Sequence, residues 1–134
     1  LRTSELIALE WEDIDLTHGL FNVVRAVVKK QIKGTKTIAG KRQVMLLPPA
    51  IETLKTQMKF TFKLDKRVFH NPRTNQPWET DHQIRRTAWV HTIKRAGIRY
   101  RNPYQTRHTY ASMMLSLSGL QARWGMLIQK WFGS

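Results

Sequence analysis

Arg107 and His108 sit in the run Asn102-Pro103-Tyr104-Gln105-Thr106-Arg107-His108-Thr109-Tyr110-Ala111, which turns helical directly after a proline and an aromatic. An arginine in the first turn of a helix joins a planar fork of five donors to the positive end of the helix dipole. That combination suits a phosphate, or the charge that develops on one during phosphoryl transfer. The bland alternative is a surface salt bridge, and one arginine does not decide between them.

The charge of the whole chain narrows the choice. The 134 residues carry 23 Lys and Arg against 9 Asp and Glu, a formal net charge of +14 with a pI near 10.8. No acidic residue follows Asp81, so the chain beyond it is basic throughout. Such a surface attracts a polyanion, and nucleic acid is the expected partner because each neutralised phosphate releases condensed counterions. A merely solvated basic surface is the competing reading. The absence of cysteine excludes disulfides and thiolate metal sites and fits a reducing cytoplasmic setting. No apolar run approaches the roughly 18 residues of a membrane span, so no membrane association is expected. The opening residues do not resemble a targeting signal.

The elements that must position these residues read as one α+β domain, mainly helical, over residues 1–134. Leu1, Leu6, Ile7 and Leu9 suit one face of a helix over residues 1–10. Residues 20–28 are rich in β-branched and aromatic types. With a turn over Gly34–Gly40 between residues 27–32 and 43–47, they predict a small antiparallel sheet of about three strands. Pro49 opens a helix through Met58, and Val68-Phe69 reads as a short strand. Thr80 or Asp81 caps a helix running to Ala96, which Gly97 stops. A last helix covers residues 106–117, with Tyr110, Ala111, Met114 and Leu115 on one face.

Three separated segments together resemble the tyrosine recombinases, the phage integrase family. Leu1-Arg2-Thr3-Ser4-Glu5-Leu6 through Trp11-Glu12-Asp13-Ile14-Asp15 is similar to that family's first arginine box. Thr35-Lys36-Thr37, followed by Lys41-Arg42-Gln43-Val44 and Leu46-Leu47-Pro48, resembles its β-hairpin lysine segment. Tyr104-Gln105-Thr106-Arg107-His108-Thr109 is similar to its second arginine box. The three occur in the family's order, and the resemblance covers residues 1–116.

The resemblance implies the family's catalytic core and DNA strand cleavage and rejoining without a cofactor, a metal or an external energy source. A tyrosine would attack a phosphodiester to give a 3′-phosphotyrosine and a free 5′-hydroxyl. Arg2 and Arg107 would clamp the non-bridging oxygens. Lys36 would protonate the leaving 5′-oxygen. Glu5 would hold the Arg2 guanidinium, and His108 would help orient Arg107. Further expectations are a tetramer of integrase protomers on DNA and a bacterial or phage-derived, nucleoid-associated setting.

Two departures follow from the same comparison. Tyr104 occupies the histidine position of the second box, where a phenol can donate a hydrogen bond but cannot act as a base near neutral pH. From residue 117 onward the Gly-His and the later tyrosine of the family pattern are missing, and the tyrosines present are Tyr100, Tyr104 and Tyr110. Trp131 is the weak candidate for the third His/Trp position. The expectation is therefore a partial catalytic domain, matched over 1–116 with a divergent tail over 117–134, inactive by itself. A decayed prophage gene or a frame change after Ser116 would produce that pattern. The alternative is a non-catalytic DNA-binding module, using Arg25, Lys29, Lys30, Lys33, Lys41 and Arg42 on the sheet and Arg85, Arg86, Lys94 and Arg95 on a helix.

Overall fold

The computed structural model describes residues 1–34 and 41–118. The first helix, α1, is only Thr3–Leu6. The amides of Ala8 and Leu9 reach back three residues, to the carbonyls of Glu5 and Leu6, which tightens and ends the turn. Beyond it the chain extends, because burying Ile7, Ala8 and Leu9 takes their backbone into contact with residues 66–68. Val68 N–H donates to the Leu9 carbonyl at 3.0 Å and Trp11 N–H to that of Lys66 at 2.8 Å. The helix expected over residues 1–10 is thus one turn, and the strand expected at Val68-Phe69 is an isolated bridge, Glu10 to Arg67.

A short 3-10 turn, Trp11–Asp13, leads into β1, Ile14–Asp15. Residues 20–28 form two strands, β2 (Leu20–Val23) and β3 (Arg25–Val28), which enter different sheets. Strand β2 pairs antiparallel with β1 and with β5, Arg42–Met45, in the order β1-β2-β5. Strand β3 pairs with β4, Gln31–Gly34, through a two-residue turn in which Lys29 and Lys30 adopt φ of 50° and 63°. Both turn residues having positive φ is the geometry that matches the twist of a tight hairpin. A small three-stranded antiparallel sheet is present as expected, but its third strand is β1, and the segment 27–32 expected in it belongs to this separate ribbon.

The split follows from burial. Phe21 and Val23 of β2 enter one core with Leu9, Leu54 and Val68. Val27 of β3 enters a second core with Ile7, Ala8 and Trp78. Helix α2, Pro48–Thr61, begins on two prolines whose missing N–H groups cost nothing in a first turn, and it lays Leu54 on the first core.

Thr80 caps the next helical stretch, its hydroxyl accepting the Gln83 N–H at 3.2 Å. That stretch is α3 (Asp81–Ile84), a π-helical turn (Arg85–Trp89) and α4 (Val90–Arg95). Gly97 ends it at φ +66°. Helix α5, Gln105–Ser118, follows a turn in which the Asn102 side chain accepts the Tyr104 N–H at 3.0 Å.

Candidate active site

Arg2 is the N-cap of α1. Its backbone is extended, and its carbonyl accepts the N–H groups of Glu5 and Leu6. Glu5 answers from the first turn, one carboxylate oxygen accepting the Arg2 N–H at 2.7 Å. This is the glutamate half of a capping box, and it leaves the Arg2 side chain exposed to solvent. The guanidinium that Glu5 holds is that of Arg42, bidentate at 3.1 and 2.9 Å, in place of the Arg2 guanidinium expected from the sequence. A carboxylate spent on a backbone N–H and a fork from β5 has only one in-plane lone pair left, too few for a second fork. Burial works to raise the Glu5 pKa. The hydrogen bonds from Arg42 and the Arg2 N–H, with the Arg42 charge, outweigh it and hold the carboxyl below its ordinary value.

On the second segment, the Arg107 guanidinium lies over the Tyr104 ring, 5.3 Å from its centre. His108 meets the same ring edge-on at 5.6 Å. Tyr104 is thus the surface on which the two helical residues are arranged, three and four positions after it. The turn that carries Tyr104 is held from α3–α4 by Trp89, whose indole N–H donates to the Arg101 carbonyl at 2.6 Å.

The segments meet. A cavity of 260 Å³ is walled by Leu1, Arg2, Thr3 and Leu6 on one side, by Ile84 and Trp89 on another, and by Pro103, Tyr104 and Thr106 on the third. In an α-helix, residues five apart diverge by about 140° around the axis. The i to i+5 repeat of the π turn instead brings Ile84 and Trp89 round to one face. Arg2 and Tyr104, whose ring carries the Arg107 guanidinium, thus wall one small space.

Two of the expected DNA contacts are committed elsewhere. Arg25 is bound by Glu10 at 2.6 Å, Asp13 at 3.0 Å and Glu12 at 3.2 Å, and Arg42 by Glu5. Both are shielded from the surface by acids of the first box, which is why neither offers a free fork to a phosphate. Lys29, Lys30, Lys33, Lys41 and Arg86 are exposed, Lys30 with a 3.4 Å contact to Glu79, and Arg85 is half-buried. Lys36 and Trp131 lie outside the described residues. Among the described residues no group of His, Asp and Glu could hold a metal ion, and no helix is long and apolar enough to cross a membrane.

Trp89 and Ile84 were not singled out by sequence reasoning, because nothing in a run of helix-forming residues announces a π turn. The spacing of five between two large apolar residues inside a helix is the one trace it leaves.

The phage integrase family model matches residues 1–124. The chain is 39% identical over 139 aligned positions to prophage integrase IntR of Escherichia coli (strain K12), covering 87% of this chain and 34% of that protein. It spans about a third of the length of the curated relatives it matches, 34% and 35% for two of them. Its fold is similar to that of the Tn1549 transposon integrase, solved with transposon right end DNA (TM-score 0.71, 18% identity, 97% of this chain and 45% of that one). XerA recombinase is a second structural relative (TM-score 0.66, 23% identity, 85% and 38%). With both arginine boxes walling one cavity and a family match across nearly all of its length, the chain belongs to the phage integrase family of tyrosine recombinases.

Proposed function

We propose that this chain supplies the phosphate-clamping part of a site-specific DNA recombinase active site, acting on double-stranded DNA in the cytoplasm alongside other integrase protomers. The observation that carries the reading is the cavity on which Arg2, Tyr104 and, through its stack on Tyr104, Arg107 converge.

In the proposed reaction a tyrosine oxygen attacks the scissile phosphorus while the bond to the 5′-oxygen breaks. Arg2 and Arg107 neutralise the charge growing on the non-bridging oxygens, where fixed donors act most strongly on the transition state. The Tyr104 hydroxyl donates a hydrogen bond to the phosphate and moves no proton. Lys36 delivers a proton to the departing 5′-oxygen, and reversal of these steps with a new 5′-hydroxyl rejoins the strand. None of Tyr100, Tyr104 and Tyr110 stands after the second arginine box at the nucleophile's place. In this reading the attacking oxygen belongs to a tyrosine outside these 134 residues.

The test is duplex DNA affinity at fixed salt for Arg2→Ala, Arg107→Ala, Arg107→Lys and the double alanine variant. Each alanine is expected to cost about 1.5–3 kcal/mol, the range for hydrogen bonds to charged groups. The lysine should lose nearly as much, because it keeps the charge but not the fork. The double variant should lose less than the sum. Wild-type affinity for Arg107→Lys with strictly additive alanines would instead support a non-catalytic basic module that uses the exposed lysines of the hairpin.

A further inference from the structure

We infer that Arg42 is a positioning residue, a latch that registers the strand after the lysine-bearing segment 35–40 against the backbone carrying Arg2. The consequence for phosphoryl transfer rests on the function proposed above, whereas the latch itself does not.

The argument begins with what Glu5 touches. Its carboxylate is 7% exposed and faces two groups: the Arg2 N–H and the Arg42 guanidinium. One oxygen takes both the Arg2 N–H at 2.7 Å and Arg42 Nη2 at 2.9 Å. The other takes Arg42 Nη1 at 3.1 Å. A bidentate fork fixes the plane of the carboxylate as well as its position. That plane in turn sets where the Arg2 N–H, and so the Arg2 α-carbon, can lie. Arg42 is the first residue of β5, paired with Val23, and only Lys41 separates it from segment 35–40. A displacement of β5 therefore pulls on the N-cap that presents Arg2. For Arg42 to turn towards a DNA phosphate it would have to abandon Glu5, leaving a buried carboxylate without its cation, which is strongly unfavourable.

The test uses the whole chain and two readouts. The first follows the Arg2 backbone amide by NMR as pH is lowered, since that N–H reports the protonation of the oxygen it donates to. In wild type its midpoint should lie below the ordinary carboxylate range, and in Arg42→Gln it should move up. The second is the dependence of duplex DNA affinity on salt in the Arg2→Ala background, which Arg42→Gln should leave unchanged. An unmoved Arg2 midpoint would overturn the latch. So would a fall in the salt slope of about 0.9, the signature of one lost phosphate contact. Should Arg42→Gln not fold, Glu5→Gln serves: loss of the acid-range transition of the Arg2 amide with an unchanged salt slope supports the latch. A steeper salt slope, showing Arg42 released onto DNA only when Glu5 is neutral, would also support it, whereas an Arg2 amide that still titrates would refute it. Failure of the phosphate-clamp reading shows separately, as an Arg2→Ala variant that binds DNA like wild type.

Discussion

Residues 1–79 and residues 80–118 treat charge in opposite ways. In the first region arginines are building material: Arg25 is closed in by Glu10, Glu12 and Asp13, Arg42 by Glu5, and Arg67 spans Glu10 and the Ile7 carbonyl. Every buried residue among those described lies between Glu5 and Trp78. In the second region no carboxylate side chain follows Asp81, and Arg86, Lys94 and Arg95 are exposed. A net charge of +14 is thus not one uniform basic face. Part of it is neutralised inside the fold, and the part left for a polyanion lies at Arg2, on the hairpin tip and on the later helices. The cavity forms where the two regions touch.

The contrast breaks most visibly under truncation of a paired arginine. Arg25→Ala leaves Glu10 and Asp13 buried without their shared cation and should cost about 3–5 kcal/mol in urea unfolding. Arg86→Ala, on an exposed site, should stay within about 0.5 kcal/mol. Equal losses would erase the distinction between the regions.

Packing should divide in the same way. Leu54→Ala opens a hole in the first core and is expected to cost about 2–5 kcal/mol, whereas Met113→Ala on the exposed side of α5 should cost no more than about 0.5 kcal/mol. Thermal unfolding of the two variants side by side decides this.

Acid sharpens the comparison further, with a smaller effect. Glu5 has a folded pKa below its ordinary value, so its stabilising contribution is complete above the unfolded carboxylate pKa of about 4.3 and is lost as pH falls through the lowered value. Asp15 is shifted the same way, by the His18 backbone N–H first and the His18 ring second. Unfolding followed from pH 6 downward should therefore lose stability in the acid range, and Glu5→Gln should flatten part of that loss.

What could be read in advance was what is local in the chain. The Thr80 cap, the Gly97 stop and the Pro48-Pro49 helix start are signals carried by a few adjacent residues, and each boundary lies within a residue or two of its expected place. The arginine boxes were recognisable as short strings in order. The pairing of Arg25 and Arg42 was not, because their carboxylates lie 12 to 15 and 37 positions away and no spacing rule connects a strand to a capping turn. The break at Val24 was hidden by β-branched residues on both sides, which suit either sheet. Helix α1 was overestimated because apolar spacing cannot distinguish a continuing helical face from a buried turn such as Ile7-Ala8 that leads into a bridge.

The most direct measurement follows the side-chain Nε–H signals of Arg2 and Arg107 by NMR while a short duplex is added to the labelled chain. One phosphate held by both predicts that the two signals shift on a single binding curve, and that Arg2→Ala weakens the response of Arg107. Shifts confined to Lys29, Lys30 and Arg86, with Arg2 and Arg107 unmoved at saturation, would contradict a shared phosphate site.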